Sequence, residues 1–305
     1  MQEGMIDFLD PNEERLQGAL HFLEERPKEQ AFMLSLCFNL PHSASTGTMK
    51  QRPSDPEIYR TLYRDLDIPL PEHYVAKADI QQPKLPPEIL HAADRQTGYD
   101  FVDEPSSLKE RYIRQLQAMT GIDRLVGELR SRLKKLGLDQ KTVIVFTSDH
   151  GLFMGQFGVG GKALCYEQVT HVPMIIYHPQ LSAQERPSKS NALVQTIDVA
   201  PTLLSLAGIA IPSAMQGKDL SGILKGEEKA VREFLFTENL WSTKFGNPRC
   251  ESIQDLEWKY IRYYKNENPS ALNIIQAAKE LKLPLNKLLY QVNDQDIALY
   301  RSFEE

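Results

Sequence analysis

The sharpest change from apolar to polar residues in this chain falls between residues 142 and 151. Val143–Phe146 is a run of β-branched and aromatic residues with no polar residue on either face. Such a run predicts a strand buried on both sides, as in a parallel sheet covered by helices. The polar turn Ser148–Gly151, of sequence Ser-Asp-His-Gly, follows at once. Because ligands of open α/β sheets bind beyond the carboxyl ends of strands, we expect chemistry at this turn.

The same pattern predicts the elements around this strand. Apolar residues at spacings of three and four predict an amphipathic helix from about Leu108 to Leu136, with Gly137 as its C-terminal stop. Further predicted elements are helices at 12–25 and 197–208, buried strands at 31–38 and 172–176, and a short strand at 192–197. Helix, short loop and buried strand in succession are typical of α/β proteins.

The last third of the chain has a different pattern. Aromatic and β-branched residues alternate with charged ones at 233–238, 249–252 and 258–264, which predicts a half-exposed antiparallel sheet. A helix at 271–283 and a strand at 288–292 are expected to follow. We therefore predict an α/β fold with a mostly parallel central sheet flanked by helices in residues 1–226, and a small antiparallel α+β subdomain in 227–305. Residues 43–105, rich in proline and charge, are expected to cross the surface with short helices.

Composition narrows the class of protein. With 305 residues, 41% apolar and 25% charged, the chain has the make-up of a soluble globular protein. A net charge of -6 argues against a general nucleic-acid binder, and no apolar run is long enough to span a bilayer. The N-terminus lacks the basic start and apolar centre of a signal peptide, so the compartment stays open. The three cysteines indicate neither a disulfide framework nor a Cys-x-x-Cys metal site, and we expect Cys37 and Cys165 to be core thiols.

Two residue types at adjacent loops suggest what the turn binds. Asp149 supplies a carboxylate, which suits a hard cation that takes oxygen ligands. The glycine-rich loop 155–161 leads to Lys162, whose ammonium is a point charge suited to a sulfate or phosphate group. His171 and His178, which flank the predicted strand at 172–176, are interpreted as structural. The residues alone thus predict a metal-binding carboxylate beside an anion-binding ammonium.

At this point the sequence resembles the sulfatases of the alkaline-phosphatase superfamily. The resemblance rests on several motifs in the family's order and covers most of the chain except 43–105. They are Phe-Asn-Leu-Pro-His ending at His42, Thr-Ser-Asp-His-Gly at 147–151, Gly161-Lys162, Val-Pro-Met-Ile-Ile at 172–176, Asp198 to Gly208 with Gln216 to Leu220, and Trp258 to Ile261.

The resemblance implies a role for each matching residue. It assigns Asp149 as a calcium ligand, with His150 in the neighbouring metal position, although an imidazole suits a hard cation less well than an amide oxygen. Lys162 would hold the sulfate or the departing ester oxygen, and His42 would contact the leaving oxygen as a proton donor. The reaction in the family is S–O bond hydrolysis, in which a formylglycine hydrate attacks sulfur. The metal and the cationic side chains offset charge on the sulfuryl oxygens.

Two features of the family are missing from the sequence. None of the three cysteines lies in the Cys/Ser-x-Pro-x-Arg pattern that yields formylglycine, and the nearest match, at 54–58, has Ile58 in place of the arginine. The paired aspartates of the family's first strand are also absent. The chain therefore resembles the later two-thirds of a sulfatase, and we expect a missing N-terminal segment. We also expect the chain alone to be poorly soluble or to need a companion segment, because loss of that strand would expose a sheet edge.

Three functions follow from these motifs. The leading one is an incomplete sulfuric-ester hydrolase that acts on an aryl sulfate, a glycosaminoglycan or an algal polysaccharide. The second is a non-catalytic remnant or half of a split enzyme, which binds sulfated ligands or a partner chain. The third, a phosphoryl-transfer relative, is disfavoured because such enzymes bind two transition metals through additional Asp and His ligands, which are not apparent. Arg249 and Trp241 could line a substrate pocket, but packing is the simpler role for both.

Overall fold

The computed structural model describes residues 17–38, 41, 57–79, 100–162, 164–181, 189–239 and 249–264. The chain divides into two compact units. One unit comprises Met1–Glu72, Phe101–Val145 and Ile176–Gln180, and the other comprises His73–Asp100, Phe146–Ile175 and Leu181–Glu305. His42, Trp241, the predicted helix at 271–283 and the predicted strand at 288–292 lie outside the described residues.

The described residues form helices and short strands. The helices are α1 (Gln17–Glu25), α2 (Glu57–Thr61), α3 (Pro105–Lys135), α4 (Glu167–Thr170), α5 (Val199–Leu206) and α6 (Ser221–Leu224). The strands are β1 (Ile144–Thr147), β2 (Phe153–Met154), β3 (Gly160–Gly161), β4 (Met174–Tyr177), β5 (Leu235–Asn239), β6 (Arg249–Gln254) and β7 (Lys259–Tyr264). Within this part of the chain, no helix is both long and apolar enough to cross a membrane.

Helix α3 confirms the amphipathic pattern and dominates the first unit. Its apolar stripe, which includes Leu108, Ile122 and Leu125, is buried. The helix ends in a Schellman motif, in which the Gly137 N–H donates to the Lys134 carbonyl at 3.1 Å and the Leu138 N–H donates to the Leu133 carbonyl at 2.8 Å. Gly137 has a φ of 69°, a left-handed conformation that glycine adopts without steric cost. This explains why a glycine ends the helix, as predicted.

Strands β1 and β4, which lie before and after the Ser-Asp-His-Gly turn at 148–151, are more exposed than predicted. β1 and β4 pair in a two-stranded sheet, close to the positions that the apolar runs predicted. They are not buried on both faces, since Phe146 and Ile175 are exposed. The structure therefore shows a mixed α/β chain, while the described strands other than β1 and β4 pair antiparallel.

Two predicted strands are wrong. Residues 31–38 contain no strand, and their side chains alternate between exposed and half-buried, with Met33 77% exposed. Residues 192–197 likewise lack a strand and lead into a 3-10 turn at Thr196–Asp198. Apolar composition favoured a strand in both segments, but a strand also needs a neighbouring backbone for its hydrogen bonds, and composition does not supply one.

The antiparallel sheet of the C-terminal part confirms the alternating pattern. The strand order is β5-β6-β7, and Cys250 pairs with Asn239 on one side and with Tyr263 on the other. The turn between β6 and β7 is closed by Asp255, whose Oδ1 accepts from the Trp258 N–H at 2.7 Å. Alternate residues of β6, Cys250 and Ser252, are buried, as a sheet with one covered face requires.

A buried carboxylate fixes the segment from Gln195 to Leu220. We call Asp198, Arg232 and the groups bonded to them the Asp198 cluster. Asp198 is 0% exposed, and its two oxygens accept from the Arg232 guanidinium at 2.5 and 2.6 Å. They also accept from the backbone N–H groups of Gln195 and Lys218, both at 2.7 Å. The acidic residue of the Asp-x-x-Pro-Thr motif therefore has a structural role. It joins the backbone at Gln195 and at Lys218 to the Arg232 side chain.

Candidate functional site

The turn after β1, Ser148–Gly151, is called the Asp149 turn. Asp149 Oδ1 accepts from the His150 N–H at 2.9 Å, and the Ser148 hydroxyl lies 3.4 Å from the same oxygen. The Asp149 side chain is 82% exposed, and its Oδ2 lies 3.3 Å from His150 Nε2. The carboxylate is thus held by its own turn and remains mostly exposed, so that a ligand can contact it.

The His150 ring links the carboxylate to the lysine. His150 Nδ1 lies 2.9 Å from the Gly151 carbonyl oxygen, and Nε2 lies 2.8 Å from Lys162 Nζ. A carbonyl can only accept, so Nδ1 carries the proton, and Nε2 then accepts from the Lys162 ammonium. These partners specify a neutral imidazole whose Nε2 lone pair points at the lysine. Nε2 therefore donates nothing to Asp149 Oδ2, and Asp149, His150 and Lys162 form a row of neighbouring polar side chains.

A glycine hairpin brings Lys162 to this place. β2 and β3 pair antiparallel, with Phe153 opposite Gly161, and Gly155 donates to the Val159 carbonyl at 3.0 Å across the turn. Phe157 and Gly158, within that turn, have φ values of 59° and 74°. The hairpin therefore reverses the chain in a few residues, and Lys162, the next residue after β3, reaches back to the Asp149 turn.

Gly151 lets the Asp149 turn lie directly against α4. A Cβ at this position would lie 2.2 Å from the Gln168 carbonyl oxygen, well inside contact distance. The Gly151 N–H donates to the Val169 carbonyl at 2.7 Å. Close approach of two backbones requires glycine here, and this explains the last residue of the Ser-Asp-His-Gly motif.

A small apolar core supports the site from below. Phe153, Val159, Leu164 and Val169 are buried together, with Tyr166 packed against them. The helix α4 is also fixed by Lys259, whose Nζ lies 2.5 Å from a Glu167 oxygen and 2.8 Å from the Thr170 hydroxyl. The hairpin and α4 thus share one core, and the hydrogen bond from the Gly151 N–H to the Val169 carbonyl joins the Asp149 turn to it.

The side chains of the site fit the calcium ion that the sequence suggested only in part. The Asp149 carboxylate fits a hard cation, because it is an exposed oxygen donor. In the observed arrangement His150 does not fit, because its Nε2 accepts from Lys162. No group of three or more His, Cys, Asp or Glu side chains lies close enough to hold a metal in the parts of the chain that the structure describes. Calcium takes about six to eight oxygens, so these residues supply one ligand of such a site.

The structure thus brings together three of the four residues singled out from the sequence. His150 contacts both Asp149 and Lys162, while His42 is outside the described residues. His171 is exposed and lies 3.7 Å from Glu167, and His178 accepts from the Gln180 N–H. The structural role of both stays a prediction. Cys165 is buried as expected, whereas the expectation of a core thiol is wrong for Cys37, which is exposed. No pattern in the sequence indicated the contact between Cys165 and Cys250, whose sulfurs are 3.5 Å apart.

Comparison with known families identifies two matching regions. A family model described as "Sulfatase" matches residues 11–209. A second model, "N-sulphoglucosamine sulphohydrolase, C-terminal", matches residues 155–293. The first region contains the Asp149 turn, the glycine hairpin and the Asp198 motif.

Individual relatives agree with the family models. The chain is 37% identical over 162 residues to an N-acetylglucosamine-6-O-sulfatase of Bacteroides thetaiotaomicron, an alignment that covers 52% of this chain and 29% of that protein. It is 26% identical to arylsulfatase K of Xenopus laevis, covering 88% of this chain and 50% of that protein. An arylsulfatase of Clostridium perfringens is 25% identical, with 94% and 56% covered. The chain spans about half the length, or less, of these curated relatives.

Solved structures share the fold. A structure described as a 2-O GAG sulfatase superposes with a TM-score of 0.52 at 20% identity, covering 78% of this chain and 55% of that one. A phosphonate monoester hydrolase from Silicibacter pomeroyi gives a TM-score of 0.52 at 22% identity, with 78% and 54% covered. Since the family model alone spans residues 11–209 of the 305, the chain belongs to the sulfatase family.

Proposed function

We propose that this chain provides the cation-holding and sulfate-holding part of a sulfuric-ester hydrolase that acts on a sulfated sugar. The observation that supports it is the polar row Asp149–His150–Lys162, formed by the motif residues at the end of β1 in a chain of the sulfatase family. The sugar is proposed because the relative that is 37% identical is named an N-acetylglucosamine-6-O-sulfatase.

The residues present suggest how a sulfate ester would be held. The Lys162 ammonium, which lies 2.8 Å from His150 Nε2, is a point charge suited to sulfuryl oxygens. The neutral His150 ring orients the ammonium without adding a competing charge. Asp149 would hold a calcium ion, which when bound supplies positive charge against the same oxygens. His42 is the proposed proton donor to the leaving oxygen.

The described residues do not fit a formylglycine. Cys165 and Cys250 are buried, and exposed Cys37 is followed by Phe-Asn, so none lies in the required motif. We therefore derive no step through that group, and the chain's own residues are assigned binding roles. For the fold, we propose that β1 and β4 belong to a mostly parallel, helix-flanked sheet of the alkaline-phosphatase type, which the likeness to the sulfatase structures supports.

Binding of N-acetylglucosamine 6-sulfate, measured by calorimetry against unsulfated N-acetylglucosamine, tests the role of Lys162. Lys162→Met should weaken binding of the sulfated sugar by at least about tenfold, or about 1.4 kcal/mol, because the variant cannot make a charge-assisted hydrogen bond to the sulfate. Lys134→Met, on the exposed face of α3, is the matched control and should leave binding unchanged. Equal affinity of the Lys162→Met chain and the unmodified chain would contradict the assignment.

A calcium titration tests the metal role in the same way. Asp149→Asn should lose the calcium-induced shift in melting temperature, whereas Asp123→Asn, on an exposed position of α3, should keep it. Identical titration curves for the unmodified chain and Asp149→Asn would remove calcium from the proposal.

A non-catalytic function is the second candidate, favoured by the lack of a cysteine in the formylglycine motif. In that case the chain binds the sulfated sugar through Lys162 but releases no sulfate from it. Sulfate release, measured by ion chromatography on the same samples, distinguishes the two functions.

A further inference from the structure

Cys165 and Cys250 lie 85 positions apart in sequence but meet in the structure, with 3.5 Å between their sulfur atoms. Both belong to the second unit, and their side chains are 1% and 0% exposed. Cys165 Sγ also lies 3.7 Å from the Thr237 carbonyl oxygen of β5 and 3.8 Å from the Cys250 carbonyl oxygen of β6. The Cys165 thiol is therefore set against the antiparallel sheet, three residues after Lys162.

The two sulfurs differ in reactivity. The hydrogen bond donated by the Cys250 thiol lowers the pKa of Cys165 to about 7, although burial raises it, and the nearby Lys259 ammonium also lowers it. The contact with Cys165, together with burial, raises the pKa of Cys250. Since the thiolate is the nucleophile, Cys165 is the sulfur that reacts first, and Cys250 is the thiol in position to resolve the product.

We propose that Cys165 and Cys250 form a reversible disulfide site, at which a hydroperoxide oxidises the two thiols to a sulfur–sulfur bond within one chain. Cys165 attacks hydrogen peroxide, an S–O bond forms, the O–O bond breaks, and the released hydroxide takes the thiol proton to give water. Cys250 then attacks the Cys165 sulfur, the S–S bond forms, the S–O bond breaks, and the second hydroxide leaves as water with the Cys250 proton. Each thiol loses one electron, and the peroxide is reduced to two waters.

The bond joins the segment that carries Lys162 to strand β6. It would add a covalent link between two parts of the unit that are now in van der Waals contact. Because a cross-link between distant residues restricts the unfolded chain, the oxidised protein should melt at a temperature higher by something on the order of 5 °C. Because both thiols are buried, hydrogen peroxide reaches them when the unit opens locally.

The test uses the full chain with Cys37→Ser, which leaves the pair as the only cysteines. The folded protein is treated with hydrogen peroxide, quenched, denatured, labelled with N-ethylmaleimide and measured by intact mass. We expect the loss of two hydrogen atoms, no maleimide addition, and a linked peptide pair containing both residues, all reversed by a phosphine. If the Cys37→Ser variant folds poorly, it is replaced by the unmodified sequence in which Cys37 has been alkylated in the folded state.

Two controls show whether the fold creates the reaction. Cys37→Ser/Cys250→Ser should instead give a dimedone adduct at Cys165 and no increase in melting temperature. The Cys37→Ser chain held in guanidinium should form the bond at least tenfold more slowly than the folded chain. Two maleimide additions after peroxide, separate over-oxidation of each sulfur, a bond between two chains, or equal rates in folded and unfolded protein would each overturn the proposal.

Discussion

Two aspartates at two turns of this chain have opposite surroundings. Asp198 is 0% exposed and accepts four hydrogen bonds, two of them from the Arg232 guanidinium. Asp149 is 82% exposed, and its oxygens are contacted by groups of its own turn, the His150 N–H and ring and the Ser148 hydroxyl. Both residues lie in motifs that resemble the same family, yet only one has a carboxylate that a ligand can reach.

The difference separates structure from function in physical terms. A buried charge persists only when it is paired and its lone pairs are filled, so the Asp198 cluster has no capacity left for a ligand. An exposed carboxylate contributes little to stability, because water solvates and screens its charge. Residues of the Asp149 turn should therefore matter for binding and those of the Asp198 cluster for folding.

The largest effect is expected from Asp198→Asn. The amide would direct two protons at groups that are themselves donors and would leave the Arg232 charge without its partner, so the free energy of unfolding should fall by about 3–5 kcal/mol. Urea unfolding followed by circular dichroism measures it. Asp149→Asn is the matched control and should change the same quantity by less than about 0.5 kcal/mol. Equal losses in the two variants would erase the distinction between the two turns.

Glycine substitutions sharpen the comparison at the level of the backbone. Gly151 and Gly217 each face a carbonyl oxygen, at 2.2 and 2.0 Å from the position of an added Cβ, so Gly→Ala at either should cost about 1–3 kcal/mol. Gly127 is exposed within α3 and has nothing within 4 Å of an added Cβ. There Gly→Ala should stabilise by up to about 1 kcal/mol, because alanine is the better helix former.

Thermal and urea unfolding of the three variants provide the check. Gly151→Ala should in addition weaken binding of the sulfated sugar, since the turn that holds His150 must move away from α4, whereas Gly217→Ala should leave the affinity of the folded fraction unchanged. If Gly151→Ala were as stable as Gly127→Ala, the result would contradict the close approach of the Asp149 turn to α4.

The fold was predictable where a single segment decides its own structure. Helix α3, its stop at Gly137 and the alternating strands β6 and β7 follow from local spacing. Segment 31–38 was mispredicted as a strand because apolar residues do not show whether a second strand lies alongside to accept and donate the backbone hydrogen bonds. The pairing of Asp198 with Arg232 and of Cys165 with Cys250 could not be predicted either, since each joins residues brought together by intervening loops.

The site shows the same limit. The identities of Asp149 and Lys162 followed from a strand end and a glycine-rich loop. The direction of the His150 ring did not, because it depends on the tight turn of the hairpin, where Phe157 has a positive φ, and on the Gly151 carbonyl that accepts from Nδ1. A sequence therefore indicated which groups are present, and the structure indicated which atom of each group is engaged.

The smallest effect is expected from a third aspartate, which is intermediate between the two. Asp219 accepts from the backbone N–H and the hydroxyl of Ser221 at the start of α6, at 2.9 and 2.8 Å. Partial burial opposes its charge, but the hydrogen bonds from Ser205 and Ser221 outweigh burial and hold the pKa of this carboxyl below its usual range. A lowered pKa in the folded state means that the stabilisation is present above the unfolded pKa of about 4 and is lost as the pH falls through the folded value.

Asp219→Asn keeps a hydrogen-bond acceptor at the helix start and removes the charge. The difference in unfolding free energy between pH 7 and pH 3 should therefore shrink by only a few tenths of a kcal/mol, about the size expected for a largely solvated group. Urea unfolding at the two pH values measures the difference, with Asp123→Asn as an exposed control of equal charge change. A fall of several kcal/mol would place Asp219 with the Asp198 cluster, because only a desolvated carboxylate couples so strongly to pH.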